Sequence, residues 1–316
     1  MEKVVVLNGK KMNYDGKLDF SVLAEKVEVY DDTNEKEFQE RASDATVIVT
    51  KEMPVTAEMI NNLPDSVRLI CEAGTGYNNI ALDAASARNI TVCNIPAYSS
   101  ERVAQTAVMM MLNLASTMQV QLRMLERGDK SNFNKHLLVP HTELNGKTLG
   151  IIGEGHIGKE VEKIALAIGM KVLVYTRTAN PDTDSVKHVS LDELLESSDY
   201  ISLHCPLNDN TRHIINAEAL SKMKKSAFII NTARGSLIDE PALIEALKSG
   251  QIAGAGLDVQ ETEPPVQDSP LYTMENVILT PHMGWKGLET RQRLVSILSD
   301  NIHAFIDGSP INVVNR

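Results

Sequence analysis

Short runs of β-branched and apolar residues alternate along the chain with longer stretches whose apolar residues recur at helical spacing. In the first third the runs are Val4–Leu7, Val27–Tyr30, Ala45–Thr50, Val67–Cys71 and Ile90–Ile95. The later ones are Leu149–Ile152, Lys171–Tyr175, Tyr200–His204, Ala227–Asn231, Ile252–Val259 and Val277–Thr280. Most are apolar throughout rather than alternating, which predicts strands buried on both faces. Strands fed by intervening helices predict parallel sheets covered on both sides, an α/β architecture.

One open sheet rarely holds more than about ten strands, so these runs predict two doubly wound sheets. A division falls in "NIPAYSSERVAQTAVMMMLNLA", where the strand ending at Ile95 meets Pro96 and Ser99 or Ser100 is placed to cap a long helix. The Met109–Met111 face of that helix has the adaptable packing of an element between domains or subunits, and equally that of plain core. A second helical pattern runs from Leu288 to Ile306. A chain that crosses over and later returns predicts a discontinuous first domain, residues 1–98 with 286–316. Residues 99–285 form the second.

Composition narrows the function classes. The 316 residues are 43% apolar and 23% charged, ordinary for a chain that buries a sizeable core. A net charge of −11 opposes nucleic-acid or anionic-membrane binding, since both need a basic patch, but leaves small anionic substrates open. No apolar stretch is long enough to span a bilayer. Cys71, Cys93 and Cys205 are few, odd in number and far apart, which predicts buried reduced thiols, no metal site and a cytoplasmic location.

The most specific local signal is "KTLGIIGEGHIGKEVEKIALAIGMKVLVYTR". A strand leads into Gly153-x-Gly155-x-x-Gly158, a helix follows, and a second strand ends at Tyr175. In such a turn Gly153 permits the tight bend, Gly155 lets backbone approach a pyrophosphate and Gly158 lets the helix pack on the strand. The helix start at His156 and Ile157 offers its N–H groups to phosphate. A dinucleotide cofactor is the expectation. The second strand ends in Thr176-Arg177 rather than a carboxylate, which suits a 2′-phosphate and leans toward NADP over NAD. The alternative is an Arg177 that stacks on adenine or faces solvent.

Three further runs end in unusual polar residues. Arg234 follows the strand in "AFIINTARGSLID". Asp258 ends the strand in "IAGAGLDVQETEPP", with Glu263 before a Pro-Pro stop. His282 ends "VILTPHMGW", which holds the only Trp, Trp285. In a doubly wound sheet the carboxyl ends of strands line the ligand crevice. Each residue has an ordinary structural reading: Arg234 as a salt-bridge partner, Glu263 as a surface acid, His282 as a core histidine. Together they supply what reduction of a 2-keto acid needs. Arg binds the carboxylate bidentately, His donates a proton near neutral pH, and a carboxylate orients the His.

The order and spacing of the glycine motif, "NTARG", "GLDV…EP" and "TPH" resemble the D-isomer-specific 2-hydroxyacid dehydrogenase family over nearly the whole chain. The resemblance implies two Rossmann-like domains, usually a homodimer, with the discontinuous domain binding substrate. It implies Arg234 as the carboxylate arginine, Glu263 as the histidine's partner and His282 as the acid/base. "AGTGYNN" is similar to the family's substrate loop, implying that the Thr75 and Gly76 amides hold the carboxylate. "HCPLNDNT" places Cys205, Pro206 and Thr211 near the nucleotide, and Thr232 and Asp258 beside the nicotinamide. "NIPAYSSERVAQ" and "PHMGW" look most like the glycerate dehydrogenase, hydroxypyruvate and glyoxylate reductase branch, which makes Trp285 a candidate pocket wall. NAD(P)H reduction of hydroxypyruvate or glyoxylate to the D-2-hydroxy acid is the activity implied. The rivals are another donor on the same scaffold (phosphite, D-lactate or phosphoglycerate) and a dinucleotide-sensing, corepressor-like binding protein.

Overall fold

The computed structural model describes residues 2–178 and 181–315. It divides into two compact units, residues 1–99 with 285–316, and residues 100–284.

The first unit is built on a parallel sheet of β1 (Lys3–Val6), β2 (Lys26–Val29), β3 (Val47–Thr50), β4 (Leu69–Glu72) and β5 (Thr91–Cys93) in the order β2-β1-β3-β4-β5. The runs read as strands because both faces are covered. Val4, Val6, Val47, Val49, Leu69 and Cys71 pack on one side with Leu294, Leu298 and Ile302 of the returning helix Leu288–Ile306. Val5, Ile48, Ile70 and Val92 pack on the other side with Phe38 and Ile60. The free edge of β5 is stitched by the C-terminal segment. Val314 N donates to Val92 O at 2.9 Å, and Val92 N donates to Asn315 Oδ1 at 2.8 Å.

The second unit carries β6 (Thr148–Ile152), β7 (Lys171–Tyr175), β8 (Val186–His188), β9 (Tyr200–Leu203), β10 (Phe228–Asn231), β11 (Gly254–Leu257) and β12 (Val277–Leu279). They form one parallel sheet in the order β12-β11-β10-β9-β6-β7-β8. The order reverses beside β6, the topological switch point where such sheets bind ligands. The crossover helix Ser100–Ala115 lays Ala104, Ala107, Met110 and Met111 on one face of the sheet, so the methionine face is core of this unit. Leu220, Leu243 and Leu247 cover the other face. Local chemistry sets the helix starts: Ser190, Asn216 and Asp239 each cap a helix through a side-chain oxygen.

β8 is the one strand that hydrophobic patterning passes over. It is three residues long, at the sheet edge, and only Val186 in it is buried.

Candidate active site

In the second unit, every functional position singled out above follows a strand at the same, carboxyl, edge of the sheet. Gly153 follows β6, Thr176 and Arg177 follow β7, and Cys205 follows β9. Thr232 and Arg234 follow β10, Asp258 follows β11, and His282 follows β12.

The glycine turn is shaped as its sequence demands. Gly153 has φ +99°, and a Cβ there would stand 2.5 Å from Cys205 N. Gly158 holds the helix His156–Ala167 so close to the turn that a Cβ would stand 2.2 Å from Gly153 O. Gly155 instead faces open space. It also begins the helix, and no side chain caps the first turn. The N–H groups around His156 and Ile157 are therefore available to an anion.

Two buried polar atoms just after β9 and β10 have no partner within the protein, His204 Nδ1 and Thr232 Oγ1. Burial normally forces such atoms to find partners, so a polar ligand at this edge fits the residues present. Burial pushes His204 down to about 3 and the Cys205 thiol up to about 11, so both are uncharged at neutral pH. Thr211 Oγ1 donates to Pro206 O at 2.6 Å, which closes the loop after Cys205. Thr176 is half-buried and Arg177 exposed. Among the described residues no cluster of three metal-ligating side chains occurs.

His282 Nδ1 and Glu263 Oε2 are 2.8 Å apart. The other carboxylate oxygen of Glu263 accepts from Gln260 N at 3.2 Å. With Nδ1 occupied, Nε2 is the imidazole nitrogen left to exchange a proton. His282 has φ +49°, a left-handed conformation that turns the chain directly after β12 and Pro281. Asp258 holds that turn. Its buried carboxylate accepts from Thr280 Oγ1 at 2.6 Å, Met283 N at 2.8 Å and Gly284 N at 2.7 Å. Its carbonyl accepts from His282 N at 2.8 Å.

Arg234 lies in a turn pressed against the same loop. A Cβ on Gly235 would stand 1.8 Å from Gln260 O, so only glycine allows the two backbones this approach. The guanidinium Nη1 donates to Ala233 O at 2.7 Å. Neither His282 nor Glu263 is bonded to it. Local patterning misses two further pairs, because their partners are distant in sequence. His213 Nε2 meets Glu261 Oε1 at 2.8 Å, joining the loop of Thr211 to that of Glu263. His188 Nε2 meets Glu154 Oε2, inside the glycine turn, at 3.1 Å.

The first unit carries the remaining positions. After β4, Gly74 O accepts from Ile95 N at 2.9 Å and Thr75 Oγ1 donates to Ile95 O at 2.9 Å, which fixes the turn. Among the described residues, neither Thr75 N nor Gly76 N has an acceptor within the protein. Trp285 is buried in this unit's core, with its ring against the Lys51 ammonium at 3.9 Å.

The chain is similar to known proteins over most of its length. The family model of the D-isomer specific 2-hydroxyacid dehydrogenase NAD binding domain matches residues 108–284. The hydroxypyruvate reductase of Blautia hydrogenotrophica is 40% identical over 324 residues, covering 99% of this chain and 100% of that one. The glycerate dehydrogenase of Methylorubrum extorquens is 41% identical, covering 88% of each. The crystal structure of a glyoxylate reductase from Paecilomyes thermophila superposes with a TM-score of 0.85 at 33% identity, covering 99% of this chain and 98% of that one. The chain belongs to the D-isomer-specific 2-hydroxyacid dehydrogenase family and is an oxidoreductase that works with a nicotinamide dinucleotide.

Proposed function

We propose that the protein reduces a small 2-keto acid, hydroxypyruvate or glyoxylate, to the D-2-hydroxy acid. The observation that carries the chemistry is the 2.8 Å contact between His282 Nδ1 and Glu263, which leaves Nε2 as a proton donor at a strand end. The names of the relatives favour the substrate: hydroxypyruvate reductase, glycerate dehydrogenase and glyoxylate reductase.

A bound nicotinamide dinucleotide supplies the hydride. Gly153, Gly155 and Gly158, with the N–H groups at His156 and Ile157, hold its pyrophosphate. Cys205, Pro206 and Thr211 line the nucleotide, and Thr232 and Asp258 lie beside the nicotinamide. Thr176 and Arg177 favour the 2′-phosphate of NADPH, because a guanidinium pairs with phosphate where NAD-type sites use a carboxylate. Arg234 and the N–H groups of Thr75 and Gly76 bind the substrate carboxylate, and Trp285 bounds its small side chain. His282 protonates the carbonyl oxygen from Nε2, while Glu263 holds the ring and stabilises the imidazolium. The carboxylate of Asp258 orients the loop on which His282 sits.

The active form is a homodimer in the cytoplasm. The exposed apolar side chains Leu112, Met118, Leu122, Leu125 and Phe133 support a second copy as the cover for this stretch. The buried free thiols Cys71 and Cys93 support the compartment.

The test is a steady-state panel of glyoxylate, hydroxypyruvate, pyruvate and phenylpyruvate with NADH and NADPH, run on the wild type and His282→Ala. We expect the first two acids to lead, and His282→Ala to lose at least about a hundredfold in kcat. Turnover within a few-fold of wild type in His282→Ala overturns the assignment. Binding of dinucleotide with no turnover of any acid favours a sensing role.

A further inference from the structure

Lysine is among the side chains least often buried, because desolvating an ammonium is costly unless something compensates. Lys51 is nonetheless only 2% exposed. It directly follows β3, at the carboxyl edge of the first unit's sheet and beside the β1/β3 switch point. Its ammonium lies 3.9 Å from the centroid of the Trp285 ring and 2.9 Å from Glu52 Oε1. It also lies 3.1 Å from the point where a Cβ on Gly74 would stand. A cation therefore stands against Gly74, at the start of the turn that carries the Thr75 and Gly76 N–H groups.

The surroundings keep it charged. Burial pulls the ammonium down, but Tyr98, Glu52 and Glu72 outweigh that and hold it above the usual lysine value. Glu72 is pushed up by its own burial and is already engaged by Thr50 Oγ1 at 2.9 Å, Asn79 Nδ2 at 2.8 Å and Glu52 N at 3.0 Å. It forms no close ion pair with Lys51. The nearest carboxylate, Glu52, belongs to an exposed residue where water weakens the pairing. An apolar side chain would fill this position without desolvating a charge. Packing alone does not account for a lysine here.

We propose that Lys51 is a positioning residue for substrate recognition. Its charge, fixed by the Trp285 ring against the start of the Gly74–Gly76 turn, makes the Thr75 and Gly76 N–H pair a receptor for a carboxylate. Lys51 thereby selects anionic 2-keto acids over neutral carbonyl compounds. The inference rests on the reading that these amides bind the substrate carboxylate. It adds the source of their preference for negative charge, and it gives Trp285 the job of orienting a lysine as well as bounding a pocket.

The test uses two substitutions of opposite sign in the full-length protein. Lys51→Met removes the charge and keeps an unbranched apolar stem. Glu52→Gln removes the competing carboxylate from an exposed position. KM for glyoxylate and hydroxypyruvate is measured with the Ki of the carboxylate inhibitor oxamate, kcat and the dinucleotide Kd. Lys51→Met is expected to raise KM and Ki about tenfold, with kcat within about threefold and the dinucleotide Kd unchanged. Glu52→Gln is expected to lower KM about two- to threefold. A merely structural lysine would instead lower thermal stability and harm kcat, KM and cofactor binding together.

KM unchanged in Lys51→Met, or unchanged or raised in Glu52→Gln, overturns the proposal while leaving the keto-acid reading intact. If Lys51→Met does not fold, the sign of the Glu52→Gln effect decides. A wild-type protein that reduces no 2-keto acid overturns both readings.

Discussion

Asp258→Asn tests whether the loop bearing His282 is built by one carboxylate. Asp258 is 1% exposed, and its two oxygens accept three hydrogen bonds, two of them from the backbone of Met283 and Gly284. Asparagine keeps the shape but turns one oxygen into an NH2 group. In either orientation a backbone N–H then faces a donor. A hydrogen bond to a charged acceptor contributes about 1.5–3 kcal/mol, and a buried unsatisfied N–H costs about 1–3 kcal/mol. Relaxation of the loop recovers part of this, which leaves a loss of about 3 kcal/mol. For a unit of this size that corresponds to a fall of about 6–12 °C in the melting midpoint, read by far-UV circular dichroism. Because Met283 and Gly284, whose N–H groups lose this acceptor, directly follow His282, the same change displaces the imidazole, and kcat falls at least about tenfold. A fall below about 2 °C with kcat unchanged refutes the account of Asp258 as the clamp of this loop.

Three further predictions follow from the same structure. Gly158→Ala sets a Cβ 2.2 Å from Gly153 O, so the helix must move off the turn; dinucleotide Kd, read by NAD(P)H fluorescence, should rise at least about tenfold. Burial lowers the His188 imidazole, but Glu154 and Asp182 outweigh it and raise it above the ordinary value of 6.5. Its stabilising contribution is therefore full below 6.5 and lost as pH rises through the folded-state value; urea midpoints across that window should fall with pH in the wild type and flatten in His188→Gln. Light scattering should give the wild type about twice the 34.7 kDa chain mass, and the Leu122→Glu, Leu125→Glu double variant close to one chain mass.

The fold was legible because parallel strands buried on both faces leave continuous apolar runs, as in Val4–Val6 and Ile229–Ile230. β8 escaped because an edge strand needs only one buried side chain, Val186, and its polar neighbours read as loop. The bounds of the returning helix were legible because Leu288–Ile306 keeps its period throughout. The polar strand ends at Arg234, Asp258 and His282 were legible because a charged residue after an apolar run breaks the pattern. Asp258's grip on the following loop was not, since it depends on a turn whose direction no spacing reveals. Lys51 follows an apolar run in the same way, yet nothing in its local pattern marks it as buried. Only its packing beneath Trp285, 234 positions later, shows it to be buried. His188 and Glu154 pair across 34 positions and were invisible for the same reason.

The stitching of β5 by residues near the C-terminus has a consequence for how the chain is made. All of the second unit, residues 100–284, is made before the helix Leu288–Ile306 that completes the first. The first unit begins earlier but lacks the helix Leu288–Ile306 and the edge pairing of Val314 until those residues, which follow the whole of the second unit, have been made. At about 5–20 residues per second, the apolar face of Val4, Val6 and Leu69 waits on the order of 10–60 s for its cover. Residues 2–99 are thus made before the second unit yet completed after it, and in that interval their uncovered apolar face is open to aggregation.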